Sequence, residues 1–120
     1  MDQATIQEAT LMITGDFDEV ADRNQLPEDP EENRKMLLEW LTNRIDYMME
    51  KDMPGLLVLL YRIDVNEQQA KSLLAANEPG AGPGILAELI IQRQIEKART
   101  RIAYRQSKKD RDFEDEEERW

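Results

Sequence analysis

The chain has 120 residues, 16 Lys and Arg against 26 Asp and Glu, and a formal net charge of −10, which is one domain's worth of sequence by size. It has no Cys and no His, so disulfides, thiol chemistry and thiolate or imidazole metal sites are excluded, and any catalysis falls to carboxylates, Lys, Tyr, Ser or Thr.

Residues 1–32 hold ten acids and one base, Arg23. This predicts a solvated acidic arm over residues 1–28, part of which can be helical. The opening "MDQATIQEATLMITGD" has no uninterrupted apolar region of the kind a secretory signal carries. With no apolar run longer than residues 56–61, a membrane span is not expected and a cytoplasmic location is. "DFDEVAD" (Asp16, Asp18, Glu19, Asp22) lacks the Gly and closing Glu of a calcium loop.

"EDPEENRKMLLEWLTNRIDYMMEKD" begins with a helix start: Asp29 as cap, Pro30 at the first helical position, and Glu32 completing a capping box. Leu37, Leu41, Ile45 and Met48 recur on one face to about Lys51, with Leu38 and Met49 widening the stripe. "DMPGLLVLLYRID" carries a second start signal, Asp52 and Pro54, and its leucine-rich run predicts a short helix ending near Ile63. Because it is apolar on nearly every side, it is expected in the middle of the bundle, covered on both faces.

The corner "YRIDVNEQ" reads as punctuation. Asn66 caps a helix over residues 67–76 with Gln69 three positions on, Val65 can staple onto Ala70, and Asp64 with Glu67 spells an overlapping capping box. Arg62 is the residue this does not explain. "NEPGAGPG" follows as an irregular loop, and its three glycines lack the strand, the Lys-Ser/Thr and the spacing of a phosphate cradle.

A long last helix starts at Pro83 or Gly84 and is expected to end near Gln106. Between Arg93 and Arg111 it holds eight bases against Glu96 and Asp110, and "DFEDEEERW" then reverses the sign. The corner "LYRIDVNE" and the helix "ILAELIIQRQIEKARTR" together resemble a group of short, uncharacterised bacterial proteins of Bacteroidetes type, which share a LYRIDV corner and an LAxLIxxRxxxK helix. The likeness covers residues 52–101 and implies a compact all-helical domain, with no activity, cofactor or catalytic residue attached.

These readings predict an all-α protein: a small bundle of four or five helices over residues 29–107, with a short buried central helix, a long C-terminal helix, and a charged, disordered tail over residues 108–120. Its expected core includes Leu57, Leu60, Ile63, Leu73, Leu86, Leu89 and Ile90. The function expected is that of a non-enzymatic helical interaction module without cofactor or metal, binding a protein partner or a second copy of itself. Trp40, Met48, Met49 and Met53 are the candidate interface. The alternative is nucleic acid or another polyanion held by Arg99, Arg101, Arg105, Lys108 and Lys109, with Tyr104 stacking on a base and the acidic tail folding back to mask the patch. An enzyme would need converging carboxylates, and Glu28 with Glu31 has no second pair.

Overall fold

The computed structural model describes the backbone of residues 1–118 and the side chains of residues 1–111. Five α-helices follow one another: α1 (Gln3–Asp16), α2 (Pro30–Lys51), α3 (Met53–Ile63), α4 (Glu67–Ala76) and α5 (Gly82–Glu118). Single 3₁₀ turns stand at Arg23–Gln25 and Pro79–Ala81, and no strand occurs among the described residues. The fold is an all-α bundle built on one long C-terminal helix, which gives the molecule a longest dimension of 63 Å.

Helix α5 is the spine. Leu86, Ala87, Ile90, Ile91, Ile95 and Ala98 are buried along it, and α1 and α2 make its broadest contacts. The α2 stripe is the one the spacing predicts, Leu37, Leu41, Ile45 and Met48, all buried. Arg34 of α2 adds a two-pronged pair with Glu88 of α5, its Nη1 and Nη2 lying 3.1 and 2.6 Å from the two carboxylate oxygens.

The N-terminal segment is a solvated arm only in part: residues 18–25 are almost all exposed, while α1 is packed. Ile6, Ala9, Ile13 and Phe17 recur at three or four residues and are fully or almost fully buried. The acids are spaced around that face: Asp2 caps the helix by accepting from Thr5 N–H at 2.8 Å, while Glu8 and Asp16 sit on its flank toward α5. Thr10 and Thr14 enter the core because their hydroxyls bond back to the carbonyls of Ile6 and Thr10 at 2.7 and 2.9 Å. Asn33 of α2 is fully buried beside them and donates from Nδ2 to Thr10 Oγ1 at 2.9 Å. The pairs Asp16–Gln94 and Glu8–Arg105 show α1 antiparallel to α5.

Helix α3 corrects the expectation in the other direction. Leu56, Leu59 and Ile63 are buried and Leu60 is partly so, but Met53, Leu57, Val58 and Tyr61 face solvent. The helix lies on α2 and α5 with one face, and among the described residues the side chains of its other face stay in solvent. Leu57 therefore leaves the expected core, as does Leu73 on α4, a helix with no buried residue.

The long helix also departs from its predicted end. It does not stop near Gln106 but runs through Glu118, since residues 85–118 offer no Pro or Gly to break it and are rich in Glu, Lys, Arg and Gln, all good helix formers. A tail folding back on the basic stretch is incompatible with that continuous helix. The stretch Asn77–Gly84 is shorter than a full loop, because α5 begins at Gly82 directly after the 3₁₀ turn.

Candidate functional site

The corner is built from both halves of the sequence pattern. Asp64 sits in the left-handed region (φ 66°, ψ 47°), which Asp tolerates better than most residues. Its N–H bonds Tyr61 O at 3.1 Å, and Val65 N–H bonds Leu60 O at 3.2 Å, the paired bonds of a Schellman ending. Asp64 therefore terminates α3 rather than starting α4; Asn66 alone caps α4, with Oδ1 accepting from Gln69 N–H at 2.9 Å. Val65 and Ala70 are both partly buried against the core, as a staple requires.

Two residues of the long helix hold this corner. Arg93 Nη2 lies 3.2 Å from Asp64 Oδ2 and its Nη1 3.1 Å from Glu96 Oε2. Lys97 Nζ donates to the Ile63 carbonyl at 2.6 Å, placing a cation on the last carbonyls of α3. Arg62 stands exposed in the last turn of α3, a favourable place for a cation, and does not pair with Asp64, which Arg93 holds instead. A cleft of about 360 Å³ between this corner and α5 is lined by Asn66, Gln69, Gln92 and Arg93, among others. Its ionic groups are already paired with one another, so its geometry is that of a clamp between α3, α4 and α5.

The four candidate interface residues do not form one surface. Met48 is buried in the core. Trp40 is half-buried and meets Phe17 edge-on, the ring centroids 6.0 Å apart at 85°. That contact closes the end of α1 onto α2, a packing role that explains why these two side chains point inward. Met49 and Met53 are exposed, at the end of α2 and the start of α3.

The larger exposed apolar area lies on α3. Leu57 is 56 % and Tyr61 89 % exposed, with Met53 and Val58 beside them on successive turns. Met53, Leu57 and Tyr61 are four apart and Val58 adjoins, so they share one helix face. No charge falls between Asp52 and Arg62. The sequence signal for this face was present: α2 and α5 can cover only one side of an eleven-residue helix, and a helix apolar all round then leaves the rest in water.

The basic residues are distributed differently from a single patch. Arg105 Nη2 is 3.0 Å from Glu8 Oε1, so α1 supplies a countercharge. Arg99, Lys108 and Lys109 are exposed, and Arg101 lines a separate cleft. Among the described residues no group of three or more carboxylates converges as a metal site would require, and no helix is long and apolar enough to cross a membrane. Comparison of the chain with protein-family models, with curated proteins and with solved structures returns no match.

Proposed function

We propose that the protein is a helical interaction module, not an enzyme, that associates with a second copy of itself through the outer face of α3. The observation that carries this reading is the uncovered stripe Met53, Leu57, Val58 and Tyr61 on a helix whose other face is core. An uncharged face selects an uncharged counterpart, and a second copy presents one of matching length. Exposed aromatic, Leu and Met side chains clustered on adjacent turns are costly to leave in water, and pairing two such faces removes both from solvent.

Charge gives the reading a signature. Two chains of net charge −10 repel, so added salt should screen the repulsion and strengthen an apolar dimer. The mass in solution, measured by sedimentation across a concentration range, tests it. The expected result is a dimer that dissociates on dilution and is tightened by salt, with Leu57→Asp monomeric at unchanged helicity. A wild-type monomer at every concentration and salt level would sink the reading.

A second reading rests on Lys108 and Lys109, exposed on the part of α5 past the reach of α1. There the two side by side form a small basic surface suited to a polyanion. Its salt dependence is opposite, since binding to heparin or generic RNA would weaken as salt rises.

A further inference from the structure

The last turns of α1 and α3 stand side by side on α5, and between them opens a cleft of about 410 Å³, within the range of small-molecule sites, roughly 300–1,000 Å³. Both helices end the same way, with an Asp in the left-handed region, Asp18 (φ 59°) and Asp64 (φ 66°). In a strongly acidic chain this cleft gathers three cations, Arg62, Lys97 and Arg101, against one carboxylate, Asp16. Arg62 and Arg101 make no ion pair among the described residues. Lys97 commits one N–H to the Ile63 carbonyl and keeps two.

Gln94 lies at the base of the cleft, 3 % exposed. Its Nε2 donates to Asp16 Oδ2 at 2.6 Å, and because an ionised carboxylate only accepts, that bond fixes which end of the amide is which. Oε1 is then a buried acceptor without a hydrogen-bond partner among the described residues, a costly arrangement that a ligand donor would relieve. Gly15 completes the opening: its φ is not left-handed, and nothing lies within 4 Å of the position a Cβ would take. The backbone does not demand glycine there, and its missing side chain keeps the mouth clear.

We propose that this cleft binds a small organic anion, a carboxylate or a phosphate, that carries an O–H or N–H donor beside its anionic group. Arg62 and Arg101 hold the anion with Lys97 adding N–H bonds, the donor bonds Gln94 Oε1, and the carbon skeleton rests on Leu11, Met12 and Ile63. The site gives Arg62 a role that the corner does not, and none of Met53, Leu57, Val58 and Tyr61 lines it.

The test follows the Gln94 side-chain amide by NMR in the full chain during titration at constant ionic strength. Three probes are used: glycolate (carboxylate with O–H), glycerol 3-phosphate (phosphate with O–H) and acetate (carboxylate alone). A saturable shift with glycolate or glycerol phosphate is expected, the stronger of the two naming the anion, and acetate should bind about tenfold more weakly for want of the donor. Arg62→Gln, at an exposed position, should weaken binding by about tenfold or more. Gly15→Leu should abolish the shift by filling the mouth while the thermal midpoint holds or rises. No saturable shift with either donor-bearing probe, a shift that survives both substitutions, or acetate binding as tightly as glycolate would overturn the proposal.

Discussion

Helix α1 has six apolar residues in fourteen and three threonines, yet six of its positions are buried; α3 has eight apolar residues in eleven and buries three. Both pack on α5. The difference lies in what stands opposite. α1 is clasped between α2 and α5, so Thr side chains whose hydroxyls are satisfied by their own helix are drawn into the core. α3 is flanked on one side only, and no amount of hydrophobicity covers its second face. Apolar density sets how much a helix gains from a neighbour, while burial depends on whether the neighbour is there.

The sharpest way to break this comparison is to cut a side chain from α1. Ile13→Ala should cost about 2–5 kcal/mol of stability, measured by denaturant unfolding, as a cavity in a closed core does. If it cost as little as an exposed substitution, α1 would be a loosely docked arm after all.

Thr10→Val tests the polar contact inside that core. It leaves Asn33 Nδ2 buried without its acceptor and should cost about 1–3 kcal/mol. Adding Asn33→Leu should recover most of the loss, because both polar partners are then gone. A double variant as unstable as the single one would mean that the Asn33 amide has other work.

The corner should respond to its caps. Asn66→Ala should lower stability by about 0.5–2 kcal/mol through the lost bond to Gln69 N–H. Asp18→Gly, at the left-handed position that ends α1, should raise stability by up to about 1 kcal/mol, since glycine adopts that conformation without strain.

On α3, by contrast, Leu57→Ala in dilute protein should stay within about 0.5 kcal/mol of the parent, its side chain being 56 % exposed. Its effect should appear only as the concentration is raised toward association. A large loss in dilute protein would show that the outer face is covered within one chain.

The smallest effect belongs to Asp2. Hydrogen bonds from the side chain and then the backbone N–H of Thr5 hold its carboxyl below the usual 3.8. With the folded value depressed, its contribution is present above the ordinary value and is lost as pH falls through the lower, folded one. The thermal midpoints of the parent and of Asp2→Asn, which keeps a cap but cannot titrate, should therefore converge on acidification below about pH 4.

Much of the fold is local and was legible. The α2 stripe, the caps at Asp29, Asp52 and Asn66, and the apolar first half of α5 depend on spacing within a few residues, and each is found where the spacing puts it, although Asp29 accepts from Glu31 N–H at 3.2 Å and not in the expected box with Glu32. The N-terminal reading failed for a definable reason. Ten acids were counted together, although only Glu8 and Asp16 fall inside α1, and the stripe Ile6, Ile13 and Phe17 was hidden among Thr and Ala. Asp64 was misassigned because a capping box and a left-handed helix ending place the same residue type at neighbouring positions; only φ separates them.

The sequence by itself determined α2, α3 and α4, their starts and the all-α class, because hydrogen bonds and caps within a helix join residues at most a few positions apart. Tertiary structure decided which faces those helices hide. It drew α1 into the core, left one side of α3 in water, turned Trp40 onto Phe17, and brought Arg62, Lys97 and Arg101 to one cleft with Asp16 and Gln94. Those outcomes depend on contacts across dozens of residues, 78 in the case of Asp16 and Gln94, and no local periodicity encodes which two helix ends will meet.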